Sequence, residues 1–255
     1  MLAKMGAMPG FKMFGGGRKR NPLVATPPQT AEALERATGV LITHEHPDHF
    51  DLAGRAWTKT SGLPVWANQM DVPRLRRKGL DARPLEDGGL GVELEVVPSR
   101  HGRGLLGWML GPVAGYYLAA KGEPSLYITG DSILTDSVRE AIGRLQPDVI
   151  VAPAGAANMG IGGDILFSVD ELVELAGLAP ADVVFNHLEA LDHCPTTRVG
   201  LRERMQSAGL LDRVHIPEDG DVLHFDSSSK HRPETRAVHL QPGPQKWMTS
   251  ALAGG

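Results

Sequence analysis

Cysteine is almost absent from this 255-residue chain: Cys194 stands alone, so no intrachain disulfide can form. That usage suits a reducing compartment. No run of about 18 apolar residues occurs, which argues against a transmembrane helix. The start, Met1 to Lys12, lacks an apolar core followed by a cleavage site, so no secretory leader is read and cytoplasmic residence is the default. Positive charge is not in excess, the formal net charge being −4, and aromatics make up only 5% of residues. The two basic clusters, Arg18-Lys19-Arg20 and Arg74, Arg76, Arg77 with Lys78, carry no interleaved aromatics. They read as solvated faces, and neither a nucleic-acid nor a membrane partner is expected.

What is present is the composition of a soluble globular protein, with 42% hydrophobic and 22% charged residues. A chain of this length buries roughly 70–75% of its unfolded surface, so it needs no metal merely to hold a core. Any metal it binds is therefore expected to serve chemistry.

Residues 1–30 are rich in Gly, Pro, Lys and Arg, with breakers at Gly15-Gly16-Gly17 and Pro27-Pro28, and are expected to be irregular. A mixed domain follows over 31–226. The pattern predicts a helix at Thr30–Ala37 capped by Thr30, a strand at Gly39–Thr43, a helix at Asp51–Thr60 and a strand at Leu63–Ala67. A helix interrupted by Pro73 is expected over Asn68–Lys78. Val92–Val97 alternates like a half-buried strand, and Tyr116–Ala120 and Ser125–Thr129 suit a strand pair. Val138, Ala141, Ile142 and Leu145 repeat at helical spacing behind a Thr135 cap, and Ser168-Val169-Asp170-Glu171 is a capping box. Further strands are expected at Asp148–Ala152, Asp182–Asn186, Arg213–Ile216 and Val222–Phe225, with a helix at Thr196–Ala208. The Ser-, Pro- and Gly-rich residues 227–255 read as a mobile tail. Periodicity supports a layered α/β fold and does not choose among them.

The segment His44-Glu45-His46-Pro47-Asp48-His49 carries the chemistry. From this composition, the pattern H-x-H-x-D-H arises by chance in on the order of one chain in a thousand. A strand end places His44 and His46 on one side, and Pro47 turns the chain so that Asp48 and His49 can point back. Imidazole and carboxylate are the usual ligands of zinc and similar divalent ions. One segment cannot complete two coordination shells. His101, Asp131 and His187 each follow a predicted strand and are the candidates to complete them.

The order H-x-H-x-D-H, then His, then Gly-Asp, then His resembles that of metallo-β-lactamase-fold hydrolases, from about Leu41 to Phe225. Within it, the run Thr43 to Asp51 and the run Asn186 to Cys194 are similar to the branch related to ascorbate-6-phosphate lactonase. The resemblance implies a four-layer αββα sandwich. Only 43 residues precede His44 and Met1–Thr30 shows no clear strand, so that sandwich is expected to lack its N-terminal strands. It also implies that His44, His46 and His101 hold one ion, that Asp48, His49 and His187 hold a second, and that Asp131 bridges them. The ions would be zinc, with manganese as the alternative.

The implied activity is hydrolysis by a hydroxide held between the metals, with a small-molecule lactone, ester or phosphorylated compound as substrate. Asp48 would orient the hydroxide or take its proton. His193 would donate a proton to the leaving group or bind an anionic substrate, a structural histidine being the other reading. Glu189 would orient a ligand histidine. Cys194 reads as packing. Trp108, Met109, Tyr116 and Tyr117 read as core, with pocket walls as the alternative. A phosphodiesterase or nuclease of the same fold and an inactive metal-binding remnant are the competing readings. A homo-oligomer is compatible with the sequence.

Overall fold

The computed structural model describes residues 21–85, 90–158 and 163–226. The expectations of absent N-terminal strands, an irregular start and a mobile tail fall mainly on residues 1–20 and 227–255, outside the described residues, as does the Arg18-Lys19-Arg20 cluster. The first sheet is parallel, in the order β1 (Val40–Ile42), β2 (Val65–Ala67), β3 (Ala82–Pro84). Short apolar runs dominate it because both its faces are covered. Val40, Ile42, Val65, Ala67 and Ala82 pack beneath α2 (Leu52–Ser61) and α3 (Val72–Arg77), through Trp57, Val72 and Leu75. Leu41 and Trp66 point the other way, as alternation requires, and meet Leu94, Val96, Ala114 and Tyr116 of the second sheet.

That second sheet has six strands: β4 (Glu93–Arg100), β5 (Pro112–Ala119), β6 (Leu126–Ile128), β7 (Val149–Pro153), β8 (Asp182–Asn186) and β9 (Val214–His215). Pairing is antiparallel from β4 through β6 and parallel from β6 through β9. Its outer face buries Tyr117, Tyr127, Ile150, Val183 and Phe185 under α5 (Asp136–Leu145), α6 (Val169–Leu178) and α7 (Arg198–Ser207). The result is four layers, helix–sheet–sheet–helix. β4, β6, β7 and β8 all run the same way, so their C-terminal ends share one edge.

Helix ends follow the sequence closely. Thr135 accepts from the Val138 amide at 3.3 Å, and Ser168 and Glu171 form the reciprocal capping box. Four expectations need correction. Thr30 is the first helical residue of α1 (Thr30–Glu35) and caps nothing; Gln29 precedes it in helical conformation. Pro73 opens α3 instead of interrupting a helix, because the first turn needs no amide donor there. Asn68 makes a turn ahead of it, its side-chain oxygen accepting from the amides of Met70 and Asp71 at 2.9 and 3.2 Å. Residues 222–225 form no strand: they have no ladder partner among the described residues, and Val222 is 73% exposed. Two elements had no clear sequence signal, β3 and the short helix α4 (Gly104–Leu110).

Candidate metal centre

Each histidine or aspartate singled out beyond a strand lies beyond a strand. β1 ends at Ile42 and leads to His44; β4 ends at Arg100 and leads to His101; β6 ends at Ile128 and leads to Asp131; β8 ends at Asn186 and leads to His187. These ends converge. The side chains of His44, His46 and His101 form one group, and those of Asp48, His49, Asp131 and His187 a second, with candidate ligand atoms in each group within 4.8 Å of one another. Asp131 sits between them. Its Oδ2 is 3.0 Å from His49 Nε2, 3.7 Å from His101 and His187 Nε2, and 3.8 Å from His44 Nε2. Asp48 Oδ2 is 3.6 Å from His187 Nε2 and 3.7 Å from His49 Nε2. The His46 ring centroid is 4.5 Å from that of His44 and 5.1 Å from that of His101.

The rings are aimed by contacts at their far nitrogens. His101 Nδ1 donates to the Ile165 carbonyl at 2.8 Å, which leaves Nε2 as a free lone pair toward Asp131. His44 Nδ1 is 3.2 Å from Thr43 Oγ1, and His187 Nδ1 is 3.4 Å from Cys194 Sγ. Cys194 is thus more than packing, although burial pushes its thiol pKa up and so argues against a nucleophile. Among the described residues, buried His44 Nε2 and His187 Nε2 have no hydrogen-bond partner. An unsatisfied buried nitrogen costs about 1–3 kcal/mol, and a cation at the group's centre would relieve it. The donor set and these two orphaned atoms fit divalent metal ions.

Burial holds His44 well below the usual histidine pKa, helped by neighbouring His49 and His46. Burial and His101 bring His46 down to about 3, and burial also lowers His101. All three shifts favour the neutral imidazole, the form that binds metal. Burial pushes Asp48 and Asp131 upward, but the surrounding histidines outweigh it and keep both carboxyls well below the usual range. His187 goes the opposite way: burial lowers it, yet Asp131, Asp48 and Cys194 together raise it well above its ordinary value.

The loops that carry these residues are themselves anchored. Glu45, between two of the histidines, turns away and is buried against α3, accepting from Arg74 Nε at 2.6 Å and pairing closely with Lys78. Two members of the second basic cluster are therefore ion-paired to the site loop and do not simply face solvent. His187 and Glu189 have φ of 59° and 58°, left-handed conformations that cost roughly 1–2 kcal/mol per non-glycine residue. Gly155 lies beneath this loop, and a Cβ there would come within 2.5 Å of the His187 carbonyl. Among the described residues Glu189 makes no hydrogen bond to His187; its carboxylate accepts from Arg198 Nη1 at 2.5 Å.

His193 is buried, its ring centroid 6.4 Å from that of His187, and it belongs to neither ligand group. Burial lowers its pKa. Tyr116 and Tyr117 are fully buried core residues, whereas Trp108 on α4 is 47% exposed and belongs to none of the apolar clusters among the described residues. A cavity of about 360 Å³ adjoins the cluster at His49, Asp131 and His187, with Leu41, Phe50 and Val151 among its apolar walls. Glu45, Gly155 and Arg198 were not legible as site residues. For Glu45 the signal available was an acid between ligands and Arg74 and Lys78 at helical i, i+4 spacing.

A sequence-family model described as the Beta-lactamase superfamily domain matches residues 7–188. The UPF0173 metal-dependent hydrolase of Pyrobaculum calidifontis is 31% identical over 217 residues, 80% of this chain and 87% of that protein. The chain belongs to the beta-lactamase superfamily and, within it, to the UPF0173 family. Among solved structures, this UPF0173 member is similar to an isothiocyanate hydrolase from Delia radicum gut bacteria. The TM-score is 0.79 and the identity 27%, over 89% of this chain and 91% of that one. The metallo-beta-lactamase fold protein YhfI from Bacillus subtilis shares the fold at a TM-score of 0.56 and 15% identity, over 75% of this chain and 79% of that one. The α/β sandwich is thus the metallo-β-lactamase fold. Among the described residues, no helix is long and apolar enough to cross a membrane.

Proposed function

We propose that this UPF0173 member is a metal-dependent hydrolase that uses two divalent ions, zinc or manganese, on a small electrophilic substrate. The observation that carries this reading is the position of Asp131, one carboxylate oxygen within 3.8 Å of four imidazole nitrogens drawn from both ligand groups. His44, His46 and His101 would hold one ion, Asp48, His49 and His187 the other, and Asp131 both. When bound, such ions lower the pKa of water toward about 7 and stabilise negative charge developing on the substrate. Asp48, kept ionised, accepts the proton of the attacking water. His193, its ring centroid 6.4 Å from that of His187, would donate a proton to the leaving group or bind an anionic substrate. The adjoining cavity falls within the usual size range of small-ligand sites, which supports a small molecule over a nucleic acid.

A lactone, an ester or a phosphorylated compound is the substrate class favoured by the likeness of Thr43–Asp51 and Asn186–Cys194 to the ascorbate-6-phosphate lactonase branch. A second reading rests on the solved isothiocyanate hydrolase, a likeness that spans most of both chains. The carbon of an isothiocyanate is also open to attack by water, and its apolar substituent would suit the cavity's apolar walls. The test is metal analysis of the purified protein together with a panel of lactones, esters, phosphoesters and isothiocyanates. Two equivalents of metal and turnover of one class are expected. Turnover that survives complete metal removal would refute the reading.

A further inference from the structure

Two non-glycine residues, His187 and Glu189, hold left-handed backbone on either side of buried Leu188. Such conformations persist only where the surroundings over-determine them. From below, Gly155 leaves no room beyond the His187 carbonyl. At the far end stands Arg198, the first residue of α7, whose side chain is only 9% exposed. Its amide donates to Glu189 Oε1 at 3.2 Å and its Nη1 to Glu189 Oε2 at 2.5 Å, so both carboxylate oxygens are engaged. The rest of the guanidinium reaches a third part of the chain. Nη2 donates to Asp219 Oδ1 at 2.6 Å and Nε to the Pro217 carbonyl at 2.8 Å. The planar fork therefore joins the His187 loop, the start of α7 and the closing segment after β9.

We infer that Arg198 is a positioning residue for the metal centre: through Glu189, and locked by Asp219, it holds His187 in the left-handed geometry that points Nε2 at Asp48 and Asp131. The inference rests on the two-ion reading proposed above. It adds a selectivity that reading does not contain. His44, His46 and His101 follow β1 and β4, and Arg198 bonds to none of them, so only the ion shared by Asp48, His49 and His187 depends on this fork. Loss of Arg198 lets the 187–189 loop relax and carries one ligand of that ion away.

The experiment is a cobalt(II) titration of the full chain after chelator treatment, read by the visible spectrum of each bound ion and by competition with a chelating dye. Wild type is expected to take up two ions. Arg198→Ala should weaken one of them by roughly 10–100-fold and leave the other unchanged, the size typical of losing a group that orients a ligand. Arg198→Lys keeps the charge without the fork and should fall in between. A melt of the metal-free proteins separates positioning from stability. Equal affinity for both ions in Arg198→Ala, or equal weakening of both, would overturn the inference even where that melt shifts. If Arg198→Ala does not fold, Asp219→Asn and Glu189→Gln decide, and unchanged affinity in both overturns it equally. A wild-type protein that binds fewer than two ions removes the two-ion reading itself and this inference with it, a different outcome from two ions bound alike in every variant.

Discussion

At Asp131 one buried oxygen faces four imidazole nitrogens, a donor set that suits a cation. Asp131→Ala and His46→Ala should each reduce turnover by at least about 10³-fold while the far-ultraviolet circular dichroism stays near wild type, because neither side chain belongs to the apolar clusters that hold the layers. Steady-state kinetics on the substrate identified by the panel checks this. Glu45 makes a subtler case. Its carboxylate touches α3 and not the cluster, so Glu45→Gln should weaken metal binding by roughly 10–100-fold without removing a ligand, as dye competition would show. Gly155→Ala should destabilise the fold by about 1–3 kcal/mol in a denaturant melt, since the new methyl meets the His187 backbone carbonyl at 2.5 Å as well as the Cys194 side chain at 2.8 Å.

The elements were legible where local physics decides them. Helix α5 announced itself through Val138, Ala141, Ile142 and Leu145, all buried as the spacing required. The buried strands β1, β7 and β8 were readable as short apolar runs. β3 was not, because Ala82-Arg83-Pro84 has no alternation and owes its strand geometry to pairing with β2. Residues 222–225 show the converse, a strand-like sequence that pairs with no strand among the described residues. Helix α2 depends on its cap: Asp51 accepts from the Gly54 amide at 2.6 Å. Asp51→Ala should cost about 0.5–2 kcal/mol in a thermal melt, and Asp51→Asn should recover most of it.

For the whole molecule, the shared edge of β4, β6 and β8 brings His101, Asp131 and His187 to the end of β1, so the two sheets meet at a site that neither could build alone. A cation bound there links four strands and opposes their separation. Metal binding should therefore raise the melting temperature, and addition of a strong chelator should lower it, by an amount that grows with free metal concentration as RT ln(1 + [L]/Kd). Differential scanning fluorimetry over a zinc or manganese series measures this directly. A melting point indifferent to metal would contradict binding at the strand ends.

The ligand types and their order along the chain could be read without coordinates, since four of them crowd into His44–His49 and the others follow strands whose apolar runs are local signals. Metal chemistry is a property of side-chain type, and the sequence states that directly. Only the tertiary structure decided which far nitrogen is held by Ile165, Thr43 or Cys194, and that Glu45 pairs with α3. It also decided that Arg198 ties Glu189 to Asp219. Those partners are separated by up to 64 positions, and which of many charged or polar groups meets another depends on how the layers stack, a choice made by packing and not by any local pattern.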